Sequence, residues 1–333
     1  MPRKTLEKIF ALADKERANR ITISKQVNDL TCAFELPGKE ESYFKLPKKL
    51  ESDLTDNLRR LLKIAPQDLT RGKYCKLRSN KYKLNFRVSI LPEKYGEKIV
   101  ISLIKQVSSL LRLNKLGLQN DEKKQIESAL TKKGGLILIT SHERGGRSTT
   151  LFSLLEKINR REKLVYFMGL YPEFDLEDLI TLKNNTENWE MALRHDSDII
   201  AVDDSSTNDL KLAVKAAATG RLVIATIEAI NVMEALYKIL NLGLPWNLVL
   251  DNLNLVTAQS LAKLKRGDKN KTRKQIGLFE VLKPDKKLIS FLKNHQAKVQ
   301  TKAFWEKAYL LAKETKYRPL INDVKQKEKE DII

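Results

Sequence analysis

The stretch that most constrains this chain is GGLILITSHERGGRSTTLFSLLEKI, from Gly134 to Ile158. Leu136, Ile137, Leu138 and Ile139 form a short unbroken apolar run. After a glycine-containing loop, Leu151, Leu154, Leu155 and Ile158 recur at i, i+3, i+4 and i+7. The pattern predicts a buried strand, a loop and an amphipathic helix, which is the context a phosphate-binding loop needs. The pattern G-x-x-x-x-G-K-S/T, laid over Ser141 to Ser148, keeps only Gly146 and Ser148. Ser141 stands at its first glycine and Arg147 at its lysine. The residues alone leave two readings open: a nucleotide loop, or an ordinary strand, loop and helix without a ligand.

With 333 residues the chain has room for two domains with real cores. No run approaches about 18 apolar residues. The N-terminus, MPRKTLEKIF, lacks an apolar core followed by a small-residue cleavage site, so a cytoplasmic protein is expected. Cys32 and Cys75, with three histidines, give no paired-cysteine motif and no zinc-ligand spacing; both read as reduced strand residues, and no zinc is expected. The net charge of +20 suits nucleic acid or an anionic membrane face. Yet the lysines sit beside Glu and Asp, as in LPKKLESD, and no arginine-rich run or aromatic-basic interleaving appears, so the charge reads as solvated surface rather than a nucleic-acid interface.

Along the chain, residues 1–17 read as a short peripheral helix with Leu6, Ile9, Phe10 and Leu12 on one side. Strands are expected at Ile21 to Ser24 and Asp29 to Leu36, then a turn at Pro37 and Gly38. A helix carrying Leu50, Leu54, Leu58, Leu61 and Leu62 follows and stops at Pro66. Strands resume at Tyr74 to Leu77, Leu84 to Leu91 and Lys98 to Ile104; in the second, Phe86, Val88 and Ile90 alternate with Arg87 and Ser89. Residues 18–105 therefore read as a small α+β domain, 106–115 as a linker, 116–290 as a second domain and 291–333 as a helical extension.

In the second domain Asn120 is read as a helix N-cap. Strands are expected at Leu164 to Met168, Asp198 to Val202, Leu222 to Ile227 and Ile276 to Leu282. Helices are expected near Asn208 to Ala218, Asn231 to Leu242 and Asn247 to Leu264. This alternation predicts an α/β fold, a mostly parallel sheet with helices on both faces and ligands at the strands' carboxyl ends. In the extension, Phe304, Trp305, Tyr309 and Leu310 are expected to pack back onto the body, and Lys325 to Ile333 to fray.

The fragments GGLILITS, GGRSTTLFSLL, DSDIIAVDD, KAAATGRLVIATI, LNLVTAQSLAKL and IGLFEVL, in that order, resemble the ATPases that drive type II secretion and type IV pilus assembly. Upstream, LRRLLKIAP, LNFRVSILP and YGEKIVISLI resemble that family's N-terminal sensor-type domain, so the resemblance runs from about Arg20 to Leu282. It implies a RecA-like P-loop NTPase domain preceded by a small PAS-like α+β domain. Such proteins are cytoplasmic motors, usually hexameric, that hydrolyse ATP with magnesium and pass motion to an inner-membrane platform protein.

Carried over by position, the family's GPTGSGKSTT becomes SHERGGRSTT here. Ser141, Arg144, Gly145, Gly146, Arg147, Ser148 and Thr149 are then the candidate nucleotide-binding residues, with Arg147 for the lysine, Ser141 for the first glycine and Arg144 for another. Side chains at Ser141 and Arg144 fill space that glycine leaves empty, and a guanidinium is broad where an ammonium is compact. The acidic box, near ITVEDPVEY in the family, corresponds to YFMGLYPEF, with Gly169 at the catalytic glutamate and Glu173 the one leftover acid. DPDIIMVGEIRD corresponds to DSDIIAVDDSST. There Asp204 stands for the catalytic glutamate, Asp203 for a glycine and Ser206 for an arginine, while Ser148 and Asp204 are the candidate magnesium ligands. The histidine box STLHTNDA corresponds to ATIEAINV, with Glu228 at the histidine. Arg87 matches an arginine that reaches a neighbouring subunit's nucleotide; the four-cysteine zinc insert is absent, Arg266 to Arg273 being a short polar connection.

Loss at four chemical positions beside an intact apolar framework points to a family protein weak or inactive in ATP hydrolysis. It would serve as a structural or regulatory component of a secretion or pilus motor, in a homo- or hetero-hexamer with other motor subunits, in the cytoplasm or peripheral at the inner membrane. Two alternatives stand beside it: an active motor using Arg147, Ser148 and Asp204, and a basic module binding nucleic acid or a membrane surface.

Overall fold

Period-two burial builds the first sheet and unbroken apolar runs build the second. The structure is a computed structural model and describes residues 2–16, 18–25, 29–36, 42–47, 54, 56, 85–106, 112–158, 160–169, 172, 174–265, 275–315 and 317–333. The chain divides into two units, Met1–Ser108 with Tyr171–Asp175, and Ser109–Leu170 with Leu176–Ile333.

In the first unit, strands β1 (Arg20–Lys25), β2 (Leu30–Glu35), β3 (Ser42–Leu46), β4 (Asn85–Glu93) and β5 (Gly96–Gln106) form an antiparallel path in the order β3-β2-β1-β5-β4. The two-residue strand Phe174–Asp175 pairs with β5 in parallel. Phe86, Val88 and Ile90 point into the core, as alternation predicts. Helix α1 (Pro2–Lys15) corrects the reading of a peripheral segment: Leu6, Ile9, Phe10 and Ala13 are core residues, and Phe10 stacks on Phe86 at 4.6 Å between centroids. Leu12, expected on the apolar side, is 41% exposed because it lies off the i, i+3, i+4, i+7 stripe that the buried four share. Strand β3 had no counterpart in the sequence reading; it is mostly exposed and carries no apolar run. Cys32 is buried, and burial pushes its thiol up to about 12. The turn at Pro37 and Gly38, the strand at Tyr74 to Leu77, Cys75, Glu173, the connection Arg266 to Arg273 and, apart from Leu54 and Asp56, the Leu50 to Leu62 helix lie outside the described residues.

The second unit is built on a seven-stranded sheet. Its strands are β6 (Gly135–Ser141), β7 (Val165–Met168), β9 (Ile180–Leu182), β10 (Ile199–Val202), β11 (Leu222–Glu228), β12 (Leu253–Lys263) and β13 (Gln275–Leu282), β8 being the short strand already described, in the order β13-β12-β6-β11-β10-β7-β9. Every pairing is parallel except β12 with β13. All seven residues of β6 are buried. Leu136 and Leu138 belong to one core cluster, and Ile137 and Ile139 face the other way, as a strand covered on both faces requires. On that second face Phe152, from helix α3 (Arg147–Lys157), meets Phe167 of β7 at 5.3 Å. Helix α2 is Asn120–Leu130, and its N-cap is Gln119 rather than Asn120: the Gln119 amide donates to Glu122 at 2.9 Å.

The remaining helices are α4 (Thr186–Arg194), α5 (Thr207–Ala218), α6 (Val232–Leu240), α7 (Trp246–Asn252), α8 (Lys286–Asn294), α9 (Lys302–Lys313) and α10 (Leu320–Lys329). The helix expected from Asn247 to Leu264 is wrong in its second half. The chain leaves α7 at Asn252 and becomes β12, buried on both faces through Gln259 and clamped between β6 and β13. Tertiary pairing overrides the local pattern there. The C-terminal extension also differs from expectation. Phe304 is buried and Trp305 and Tyr309 pack on the core, but Leu310 is 55% exposed. Residues 325–333 are tied down: Ile332 donates to Lys327 O at 2.9 Å and its carbonyl accepts from Lys265 at 3.1 Å. Glu280 of β13, with its carboxyl pushed up by burial, accepts from the amides of Val232 at 2.6 Å and Leu320 at 2.9 Å and from Tyr317 Oη at 3.2 Å.

Phe152→Ala is expected to destabilise the second unit by about 3–5 kcal/mol, because it opens a cavity between α3 and the sheet. Leu310→Ala should stay within about 0.5 kcal/mol. Denaturant unfolding of the two variants measures both.

Candidate functional site

Parallel pairing brings the sequence-selected residues together at one edge of the sheet. Glu228, Ser141 and Gln259 lie side by side as register partners on β11, β6 and β12. Met168, Val202 and Ala225 form a row three residues earlier, in line with Leu138, so the residues that follow β7 and β10, Gly169 and Asp203, emerge on the same side. This is the carboxyl edge, where open α/β sheets place ligands.

The loop between β6 and α3 is built by steric demands. Arg144 adopts φ 59° and Gly146 φ 89°, both left-handed, and Gly146 caps α3. A Cβ on Gly145 would meet Ser141 Oγ at 2.4 Å, so the serine hydroxyl fills the space beside the loop and residue 145 must be glycine. That hydroxyl donates to His142 O at 2.6 Å, and the Gly145 amide also points to His142 O, at 3.1 Å. Ser148 and Thr149 are half-buried in the first turn of α3, where helix amides have no partner within the helix.

Arg147 decides the electrostatics. Its Nη1 donates to Ser141 O at 2.7 Å and weakly to His142 O at 3.5 Å, while Nη2 reaches Asp204 Oδ1 at 3.4 Å. The arginine side chain is 13% exposed and the aspartate 88%. The cation at the lysine position is thus folded onto the ends of β6 and β10. An ion pair with one solvated partner contributes about 0–1 kcal/mol; the carbonyl bonds fix the guanidinium as much as the charge does.

Asp204 is left-handed at φ 51°, and its amide is held by Thr226 Oγ1 at 2.7 Å and by Asp203 Oδ1 at 3.0 Å. Asp203 Oδ1 also accepts from Thr226 Oγ1 at 2.6 Å, so Asp203 shapes the turn. Ser206 is the N-cap of α5 in a reciprocal pair with Asp209. Glu228 is exposed, and its carbonyl accepts from Lys238 Nζ at 2.6 Å. Gly169 brings no side chain to the edge, and its amide donates to Leu182 O at 2.7 Å. Arg87 belongs to β4 of the first unit, and its side chain lies outside the described part.

Magnesium would draw on Ser148 and Asp204, with phosphate oxygens completing the shell. Among the described residues no group of three or more His, Cys, Asp or Glu side chains is placed to hold a metal alone. The fit to a nucleotide is incomplete, because Arg147 Nη1 and Nη2 are already engaged by Ser141 O and Asp204 Oδ1. Among the described residues no helix is long and apolar enough to cross a membrane.

Two residues that the sequence reading did not select support the loop from below. Gln259 donates to Gly145 O at 2.7 Å and accepts from Thr150 Oγ1 at 2.7 Å, both bonds buried. Reading this stretch as a helix hid Gln259. As the strand partner of Ser141 it lies directly beneath the loop.

The family model described as Type II/IV secretion system protein matches residues 2–307, and the chain belongs to that family. It is 28% identical over 265 residues to the putative type II secretion system protein E of Escherichia coli (strain K12), covering 77% of this chain and 54% of the relative. It is 28% identical over 271 residues to the type IV pilus assembly ATPase PilB of Myxococcus xanthus (strain DK1622), covering 78% and 48%. The chain thus spans about half the length of these curated relatives. Among solved structures, the Legionella pneumophila ATPase DotB superposes with TM-score 0.72 at 18% identity, over 99% of this chain and 92% of that one. The pilus retraction motor PilT with bound ADP gives 0.75 at 17%, over 98% and 93%. These likenesses establish the fold: an α/β body with a mostly parallel sheet and a small antiparallel unit before it.

Thr150→Val and Gln259→Leu should each cost about 1–3 kcal/mol by leaving a buried polar partner unmet. The double variant should cost less than the sum of the two, since Thr150 and Gln259 satisfy each other. A double-mutant cycle by chemical denaturation checks the coupling.

Proposed function

We propose that this chain is a divergent subunit of a type II secretion or type IV pilus motor, weak or inactive in ATP hydrolysis, that acts as a structural or regulatory component. The observation that carries the reading is the guanidinium of Arg147, bound to Ser141 O and Asp204 within its own loop. A catalytic cation must face the transferred phosphoryl group, and phosphoryl transfer depends almost wholly on positioning and charge stabilisation. Asp204 for a glutamate, Glu228 for a histidine and no acid at Gly169 remove further groups of that kind. Losing one preorganised stabilising group costs about 100-fold to 1,000-fold in turnover, so several losses together leave a rate near background. An anionic Glu228 close to a γ-phosphate would repel it.

In this reading ATP and magnesium bind weakly at Ser141, Arg144, Gly145, Gly146, Arg147, Ser148 and Thr149, with Ser148 and Asp204 as the metal ligands. The partners are an inner-membrane platform protein or other motor subunits. The assembly is a homo- or hetero-hexamer in which Arg87 reaches across to a neighbour's site. The first unit is the PAS-like sensor-type domain, and the protein works in the cytoplasm or at the inner face of the membrane. The ADP bound to PilT, a protein of the same fold, supports the nucleotide as the ligand class.

A second reading, a working ATPase with an arginine in its loop, is favoured by one observation: the strand-loop-helix frame and the position of Asp204 beside Arg147 are intact. Steady-state ATP turnover with magnesium separates the two. The protein is expected at background, and Arg147→Lys combined with Asp204→Glu should tighten magnesium-ATP binding by about tenfold, a gain of about 1.4 kcal/mol. Turnover above background that Arg147→Ala abolishes would establish the second reading instead.

A further inference from the structure

The outer edge of β13 is closed by side chains and loop carbonyls. The Gly277 amide donates to Leu116 O at 2.9 Å and the Phe279 amide to Asp323 Oδ2 at 2.9 Å. Asp323 and Lys327, one turn apart on α10, form an ion pair whose side chains are 2% and 3% exposed. Lys327 Nζ also donates to Gly117 O at 2.7 Å. Gln119 ties α2 to the same helix, donating to Asp323 Oδ1 at 2.9 Å and accepting from Gln326 at 3.2 Å. Beside this pair lies a second buried carboxyl, Glu122, 3% exposed. Its Oε2 accepts from the Gln119 amide, and its Oε1 is buried without a hydrogen-bond partner.

We propose that α10 is a proton-sensitive clasp on the β13 edge, docked by a buried cluster in which two carboxyl groups, Glu122 and Asp323, face a single ammonium group, that of Lys327. One ammonium neutralises one carboxylate. With Glu122 protonated, the cluster carries no net charge and α10 stays docked. With Glu122 ionised, an unneutralised charge sits in a buried space beside a second carboxylate, and undocking lets it reach water.

The groups facing Glu122 from the other elements are Asp323, which opposes its ionisation, and Lys327 and the half-exposed Arg318, which favour it. Burial is the largest influence, and with Asp323 it pushes the carboxyl up to about 7, against the help of the Gln119 amide and the two cations. The docked form thus binds the Glu122 proton more tightly than the undocked form, whose carboxyl returns to its ordinary value near 4.5. Docking is therefore favoured at low pH and weakens as pH rises from that ordinary value towards about 7. Between about pH 6 and about pH 8 the undocking equilibrium should shift by about tenfold.

Hydrogen exchange of the full chain, followed by mass spectrometry on peptides covering Leu320–Lys329, tests this. After correction for intrinsic exchange, protection of α10 should fall by about tenfold between those two pH values. In Glu122→Gln that loss should shrink to the part contributed by Glu280, whose carboxyl is likewise pushed up by burial and accepts from the Leu320 amide at the start of α10. In Arg318→Gln, a surface change, the loss should move to higher pH, because a cation that favours ionisation has gone. Unchanged protection in the native chain, the same pH-dependent loss in Glu122→Gln, or an unmoved midpoint in Arg318→Gln would overturn the proposal.

Discussion

The bonds from Arg147 to the carbonyl of Ser141 and the carboxylate of Asp204 are the constraint from which the site takes its character. A guanidinium is planar and presents fixed donors, so once two are satisfied within the protein its orientation is set. Here they join the end of β6 to the turn after β10, the two strand ends between which a nucleotide's phosphates would be gripped. Around that contact the loop has little freedom. Gly145 sits against Ser141 Oγ, Gly146 is left-handed at the helix cap, and Gln259 holds the loop from beneath. The loop is pre-formed, and its cation is engaged within the protein.

The parallel sheet makes this arrangement possible. Because β6, β11 and β12 run in register, Ser141, Glu228 and Gln259 arrive at one edge without any loop having to bring them there. The turns after β7 and β10, which carry Gly169, Asp203 and Asp204, open on the same side. A fold of this kind keeps presenting whatever residues occupy its carboxyl edge, reactive or not, which is why fold and activity separate so readily. The apolar runs that build β6, β10 and β11 are buried, while Asp204 and Glu228 just beyond or at their ends are exposed.

Much of this was legible in the sequence. Short apolar stretches bounded by turns identified β6, β7, β10, β11 and β13, and the resemblance in motif order matches the family to which the chain belongs. What escaped had physical reasons. β12 reads locally as a helix, because its strand state depends on two partners distant in sequence. Gln259 was lost with it. Ala13, not Leu12, completes the buried stripe of α1, since angular position on the helix outranks side-chain size. The C-terminal stretch, rich in Lys and Glu, suggested fraying. Only the fold reveals that Asp323 and Lys327 form a buried ion pair with the Glu122 carboxyl beside it, for contact between α2 and α10 leaves no periodic trace.

The measurement that bears most directly on the closed loop is equilibrium titration of the purified protein with a fluorescent ATP analogue in the presence of magnesium. A guanidinium committed to Ser141 and Asp204 predicts weak binding, with no saturation in the submicromolar range. Saturable submicromolar binding that Arg147→Ala abolishes would show instead that the arginine turns outward to the phosphates, and would contradict the reading of the loop as a closed remnant.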